Sequence, residues 1–266
     1  MLGYAVLGLI VGALLNHAAN VLPQRQPLTG SPRCPFCGRE HSPLEWVALL
    51  AYLTGRQHCS RCGAPLAMRA PLVELLTALL FAYLWRRYSP STQLALFTLY
   101  SAIFILVLIT DLEHRLILNS VMYPGIALAA AASFFRQDVH YRLALLGGLV
   151  GFALVLLIYL AGPLFVRVWS RLRGQRTTEV PFGFGDVKLA AFIGLVVGFP
   201  AVIFALFIGI FLGGIGALFF IVLRAFIQRR YTALAAIPYG PFLVAGGVIM
   251  MLYGPAIMAA YLGAYR

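Results

Sequence analysis

Charged residues are scarce in this chain of 266 residues. They make up 11% of the sequence, against about 25% in typical soluble domains. Only eight residues are acidic, while hydrophobic residues make up 62% and the mean hydropathy is +0.91. This composition excludes an ordinary soluble domain. It indicates an integral membrane protein whose surroundings are the lipid bilayer.

Signal-peptide features, internal repeats and low-complexity tracts are also missing. The first apolar run, Met1–Leu22, has no basic start and no small-residue cleavage site, so we expect a retained helix and not a removable signal peptide.

Apolar runs close to the length of about 20 residues that crosses a bilayer as a helix recur along the whole chain. They predict an all-α polytopic membrane protein with about eight transmembrane helices. Gly198-Phe199-Pro200 separates the sixth span from the seventh, because one helix of about 35 residues would overshoot the hydrocarbon core. The predicted spans are Met1–Leu22, Pro71–Trp85, Leu94–Thr110, Leu116–Phe135, Leu143–Val166, Val187–Phe199, Ala201–Leu223 and Tyr239–Leu262.

The basic residues are distributed unevenly over this predicted topology. With the N-terminus outside, cytoplasmic loops hold Arg25, Arg33, Arg39, Arg56, Arg61, Arg69, Arg115, Arg167, Arg171, Arg173, Arg176, Arg224, Arg229 and Arg230. The outer side holds only Arg86, Arg87, Arg136, Arg142 and Arg266. Excess positive charge on the cytoplasmic side is typical of membrane proteins. The net charge of +12 therefore reports topology, and we expect no nucleic-acid partner.

Two carboxylates fall at matching levels of this topology. Asp111 ends the third span, in TDLEHRL, and Asp186 begins the sixth, in GFGDVKL. Two neighbouring carboxylates can share one proton, so that one activates water while the other polarises a carbonyl, as in aspartic proteases. Such a pair titrates as a unit, and the sequence does not identify the acid. The structural alternatives are that Asp186 caps its helix and that Asp111 begins a turn.

The residues around Asp186 suggest how a substrate would approach. Gly183 and Gly185 permit close approach of a backbone and a positive φ. Lys188 either pairs with Asp186 or extends to the membrane interface, and we expect the second.

All four cysteines fall in the first cytoplasmic loop, as CPFC (Cys34, Cys37) and CSRC (Cys59, Cys62). Two such pairs predict a closed tetrahedral zinc site with a structural role, because no position remains for water. Disulfides would fit better only if the topology were inverted, since the cytoplasm is reducing.

These motifs together resemble the type IV prepilin peptidases, or leader peptidase/N-methyltransferases, which are membrane aspartyl proteases of the GxGD kind. The similarity covers nearly the whole chain, through GALLNHAANVLPQR, the cysteine pairs, RAPLVELLTALLF, TDLEHRLI, GFGDVKLAAFIG and IPYGPFLVAGG. It implies catalytic roles for Asp111 and Asp186, zinc ligation by the four cysteines and a supporting role for Glu113.

The resemblance also implies a function and a location. Family members cleave the leader of type IV prepilins or type II secretion pseudopilins at the cytoplasmic face of the bacterial inner membrane. Many then methylate the new N-terminal amine with S-adenosylmethionine. The implied organisation is a first helix (1–22), a zinc loop associated with methyl transfer (23–70) and a protease domain (71–266).

Two features leave the substrate detail and the methyl transfer less well supported by the residues. Leu118 and Asn119 stand where the family usually has Pro and Asp, so the second carboxylate of that motif is lost. No nucleotide-binding glycine loop is visible, and use of S-adenosylmethionine rests on the resemblance.

Glu74, an acidic residue within a predicted span, is our candidate for binding the cationic amine of substrate or cofactor. Its structural alternative is an ion pair with Arg69 or another arginine.

Two other functional classes compete with the peptidase. In an ion- or proton-coupled transporter, Asp111, Asp186 and Lys188 would bind the coupling ion. Boundary carboxylates and the lack of inverted repeats argue against that class. In a non-catalytic assembly factor, the zinc loop would recruit a partner, and the aspartates would be dispensable.

Overall fold

The computed structural model describes the backbone of residues 1–173, 183–228 and 238–263. Outside the described residues lie Ile237 of the IPYGPFLVAGG motif, the arginines Arg176, Arg229, Arg230 and Arg266, and the side chains of Arg167, Arg171, Arg173 and Arg224. The chain divides into two compact units, Met1–Thr110 and Asp111–Arg266. The predicted domain limits at 22/23 and 70/71 stay predictions.

The first unit is a helical hairpin with a compact loop between its arms. It contains α1 (Leu2–Val21), α2 (Pro43–Trp46), α3 (Ala48–Leu53), α4 (Arg69–Arg87) and most of α5 (Thr92–His114). Glycines bring α1 and α4 into backbone contact, since a Cβ atom on Gly8 would lie 2.7 Å from Ala78 Cα, and one on Gly12 would lie 2.7 Å from Glu74 Cα.

The second unit surrounds one short central helix. It contains α6 (Asn119–Ala132), α7 (Tyr141–Arg173), α8 (Phe184–Val197), α9 (Ala201–Gln228) and α10 (Gly240–Gly263). Every residue of α8 from Asp186 to Val197 is buried, and α6, α7, α9 and α10 all contact this helix. A helix that is hydrophobic on all sides is expected in a core position.

Both ends of α8 are held by specific contacts. At its C-terminal end, Arg136 Nη1 donates to Val196 O at 2.6 Å, while the same guanidinium pairs with Asp138 at 2.6 Å. Gly198 then has a φ of 77°, a left-handed conformation that favours glycine. The predicted break at Gly198-Phe199-Pro200 is confirmed, because α8 ends at Val197 and α9 begins at Ala201.

The all-α class is confirmed, but the count of eight spans is not. Within the described residues there is no regular β-strand. In the described parts of the chain, five helices are long and apolar enough to cross a membrane, at Leu2–Val21, Thr92–His114, Tyr141–Pro163, Ala201–Phe220 and Gly240–Tyr261. Helices α6 and α8 have 14 residues each, or about 21 Å at 1.5 Å per residue, which is shorter than a hydrocarbon core of about 30 Å. Helix α4 is not among the five, because any 18-residue stretch of it holds three charged residues.

Candidate active site and thiol cluster

Asp111 and Asp186 come together in the second unit. Their side chains are buried, with residue exposures of 6% and 8%, and the charge of Asp111 acts on Asp186. Asp111 lies in the last turn of α5, and Asp186 lies in the first turn of α8. Two buried carboxylates whose charges repel each other cannot both ionise cheaply, which favours a state with one proton on the pair.

Asp186 has the capping role that we considered as its structural alternative. Gly183 N–H donates to Asp186 Oδ2 at 2.9 Å, and Asp186 N–H donates back to Gly183 O at 3.1 Å. This reciprocal pair fixes the carboxylate at the start of α8. Capping and catalysis are compatible here, because the hydrogen bond from Gly183 occupies only one carboxylate oxygen.

The two glycines of GFGD serve different purposes. Gly183 is exposed, and a Cβ atom there would meet only Asp186 Oδ2 at 3.7 Å and Gly185 N at 3.8 Å. Gly185 packs against Ile117, whose Cβ would lie 2.8 Å from an added Cβ atom. Neither glycine uses the positive φ that glycine permits, since Gly183 has a φ of −91° and Gly185 is helical. Open space beside Asp186 is therefore provided by Gly183.

Lys188 is packed inside the second unit, whereas we expected it to extend to the membrane interface. It is only 7% exposed, and its ammonium donates to Asn119 Oδ1. The rings of Tyr123 and Phe184 lie 5.2 and 5.3 Å from Nζ, within range of cation–π contact. Asn119 thus takes a role in this chain that the sequence did not indicate. Leu118, its neighbour, is the residue preceding α6.

Glu113 is exposed, although Asp111 lies only two residues before it. Its carboxylate lies 3.9 Å from His114 Nε2. The supporting role implied by the resemblance stays a prediction.

An apolar groove of about 420 Å³ lies in the second unit. Residues of α6, α7 and α8 line it, among them Tyr123, Leu149, Phe152, Phe184 and Lys188. Phe184 and Lys188 are four residues apart and share one face of α8, whereas Asp186, two residues from each, lies on the opposite face. The lining of the groove suits an apolar side chain.

The four cysteine sulfurs form one cluster in the first unit. Their Sγ atoms all lie within 4.8 Å of one another, and the Cys34–Cys62 and Cys37–Cys59 distances are both 3.7 Å. All four are free thiols. A tetrahedral zinc site with Zn–S bonds of about 2.3 Å requires sulfur separations of about 3.8 Å. The cluster therefore has the geometry to hold one metal ion.

The two cysteine pairs are built on the same backbone turn. Gly38 N–H donates to Cys34 O at 2.9 Å, and Gly63 N–H donates to Cys59 O at 2.8 Å. Both glycines have a left-handed φ, of 69° and 70°. Backbone N–H groups of Arg61 and Cys62 lower the pKa of Cys59 to about 5, which favours the thiolate that binds metal.

A salt bridge supports the first cysteine turn. Arg39 Nη2 lies 2.7 Å from Glu45 Oε2, and Ser42 N–H donates to the same oxygen at 2.8 Å. Burial raises the pKa of Glu45, but the Ser42 hydrogen bond and the Arg39 guanidinium outweigh that effect and lower it to about 2.

Glu74 has a different environment from the two that we considered. It is fully buried, and its Oε1 and Oε2 accept hydrogen bonds from Ala48 N–H at 2.8 Å and Leu49 N–H at 2.7 Å. These N–H groups belong to the first turn of α3, so Glu74 caps α3 from the side of α4. Both carboxylate oxygens are thus occupied by the protein itself. This geometry favours a structural role, and binding of a cationic amine by Glu74 stays a prediction.

Comparison with known proteins places these features in one family. Residues 98–218 match the type IV leader peptidase family, and residues 6–88 match the bacterial peptidase A24 N-terminal domain. The chain is 29% identical to a prepilin leader peptidase/N-methyltransferase of Bacillus subtilis over 259 residues, covering 97% of this chain and 96% of that protein. A protein of the same name from Pseudomonas putida is 30% identical over 279 residues, covering 96% and 91%. No solved structure matches the chain.

Proposed function

The chain belongs to the type IV leader peptidase family, and we propose that it is a membrane aspartic endopeptidase that cleaves the leader of type IV prepilins or type II secretion pseudopilins. It then N-methylates the residue that cleavage exposes. The observation that carries the peptidase is the buried pair formed by Asp111 and Asp186. The names of the relatives favour this enzyme over the transporter that we considered.

Peptide cleavage by this pair requires no other charged group. One carboxylate accepts a proton from water as that water attacks the scissile carbonyl. The other, protonated, donates a hydrogen bond to the carbonyl oxygen and later passes its proton to the leaving amine. Burial of both groups strengthens each of these interactions, because little water competes.

Substrate access to the pair would come past Gly183. The exposed position of Gly183 leaves room for a substrate backbone beside Asp186. With the predicted topology, this approach faces the cytoplasmic side of the bacterial inner membrane and the N-terminus lies outside.

The thiol cluster would hold one zinc ion with a structural role. Four thiolates complete a tetrahedral coordination shell, so the ion has no open position for water or substrate. Cys34, Cys37, Cys59 and Cys62 would thus stabilise the loop without taking part in peptide cleavage.

Methyl transfer is the second activity of the proposal. S-adenosylmethionine would supply the methyl group, and the new N-terminal amine of the substrate would accept it. The support is the name shared by the relatives. Glu74 is poorly suited to bind this cofactor while both its oxygens cap α3, so we derive no step through it.

Asparagine replacements test the peptidase directly. Asp111→Asn and Asp186→Asn should each abolish cleavage of a prepilin in liposomes, because an amide of nearly equal size cannot share the proton. Asp138→Asn is the matched control, since Asp138 lies in an ion pair with Arg136 at the other end of α8. It should retain cleavage. Near wild-type cleavage by either active-site variant would contradict the assignment.

A further inference from the structure

Helix α10 begins in direct contact with Asp111. Gly240, its first residue, is buried, and a Cβ atom added there would lie 2.9 Å from Asp111 Cγ and closer still to Oδ2. Real Cβ atoms essentially never approach a neighbour this closely. The carboxylate therefore occupies the space that any side chain at position 240 would need.

Backbone conformation does not explain this glycine. The described glycines with a positive φ are Gly38, Gly55, Gly63 and Gly198, so Gly240 has no conformation that demands glycine. Helix packing explains other glycines of this unit, such as Gly246, where an added Cβ atom would lie 3.0 Å from Gly209 N. At Gly240 the closest atoms are instead those of a carboxylate side chain.

Asp111 depends on this contact for its position. Its Oδ2 is buried and has no hydrogen-bond partner among the described residues. The Asp111 carboxylate is confined by packing against the first residue of α10, and the backbone N–H of Gly240 is a hydrogen-bond donor to the same carboxylate. The N-terminal end of a helix also attracts negative charge, which favours this placement.

The start of α10 is itself held in place. The Tyr239 ring packs onto Gly213 of α9, where an added Cβ atom would lie 2.7 Å from Cε2 of the ring. The same ring lies 6.3 Å from that of Phe242. Because α9 anchors Tyr239, α10 cannot easily retreat from a larger residue at position 240. The carboxylate of Asp111 would have to move.

We propose that Gly240 is a positioning residue that sets the Asp111 carboxylate against Asp186, and that Tyr239 anchors it. This inference rests on the proposed peptidase function. Gly240 touches no reacting atom of the substrate, and it acts only through Asp111.

Gly240→Ala tests the inference in the full-length protein in liposomes. A displacement near 1 Å at a reacting group costs up to about 10²-fold in rate, so we expect kcat to fall at least about 10-fold while KM changes less than about 2-fold. The shape of the pH–rate profile should change, because the carboxylates determine both limbs.

Two glycines of the same helix serve as controls. Gly254→Ala meets only Met250 Cε at 3.6 Å and should resemble wild type. Gly246→Ala disturbs the contact with α9 away from Asp111, so it should lower thermal stability and leave the pH–rate profile unchanged. If Gly240→Ala behaves like Gly246→Ala, with stability lowered and an unchanged kcat and profile, the positioning role is wrong.

A second variant covers the case in which Gly240→Ala does not fold. Tyr239→Leu removes the ring from Gly213, so it loosens the anchor without adding an atom beside Asp111. It should lower kcat and alter the pH–rate profile, and wild-type values in a folded variant would overturn the inference. Tyr239→Phe, which keeps the ring and removes only the hydroxyl that interacts with Asp186, is the control for this variant. A wild-type protein without cleavage activity, or an active Asp111→Asn variant, would instead refute the proposed function.

Discussion

Replacing Glu74 by glutamine should detach α3 from α4 and open the cysteine loop. The side chain is fully buried, and each of its oxygens accepts one backbone N–H from Ala48 or Leu49. Glutamine has nearly the same size but offers only one oxygen. One N–H would therefore face an amide NH₂ group and lose its acceptor.

The cost follows from these two hydrogen bonds. A hydrogen bond to a charged acceptor contributes about 1.5–3 kcal/mol, and a buried N–H without an acceptor costs about 1–3 kcal/mol. Allowing for the bond that glutamine retains, we expect Glu74→Gln to destabilise the docked loop by about 2–4 kcal/mol. At about 1.4 kcal/mol per factor of ten, the open population should rise about 30-fold or more.

Native-state trypsin digestion measures that population, since Arg56 and Arg61 lie in the loop and cleavage of an opened segment follows its equilibrium. Glu40→Gln is the matched control. Glu40 pairs with Arg33 on the surface, where the side chains are 55% and 64% exposed. Exposed ion pairs contribute at most about 1 kcal/mol, so cleavage should rise less than about 5-fold.

An unchanged digestion rate in Glu74→Gln would refute the capping argument. If Glu74→Gln kept the wild-type digestion rate and cleaved a prepilin but no longer N-methylated it, Glu74 would bind a cationic amine, as the sequence suggested. Loop opening with both activities reduced would support the structural role.

Two further predictions concern the cysteine loop. Purified protein should contain about one zinc per chain, as a closed tetrahedral site requires. Cys34→Ser should lower the metal content and increase digestion of the loop. Metal analysis that finds no zinc would contradict the assignment. Glu45 has a pKa of about 2, below its ordinary 4.5, so its contribution to stability is present above pH 4.5 and is lost as pH falls toward 2. The difference in melting temperature between wild type and Glu45→Gln should therefore close over that range, and a difference independent of pH would count against the Arg39–Glu45 interaction.

Local motifs explain why the sequence indicated two groups of residues that the structure brings together. Each CxxC pair encodes its own turn, ended by Gly38 or Gly63, so four thiols in one loop had few arrangements other than a cluster. Asp111 and Asp186 are ionisable residues in apolar surroundings, which requires a partner or a cavity. Composition likewise determined the membrane class and the all-helical fold.

Three assignments depended on contacts between residues far apart in the chain. Glu74 accepts N–H groups from a helix 25 residues earlier, and Lys188 donates to Asn119, which hydropathy could not indicate. Helix α8 was predicted as a span, yet its 14 residues form a core surrounded by other helices. An apolar segment has the same composition whether lipid or protein surrounds it.

The sequence by itself therefore determined the membrane setting and indicated the four thiols and the two carboxylates that the structure groups together, because composition and short-range spacing encode them. Only the tertiary structure brought Gly240 against Asp111 and assigned both oxygens of Glu74 to α3. The physical reason is that a hydrogen bond or a close contact joins atoms in space, and helix packing alone decides which distant residues meet.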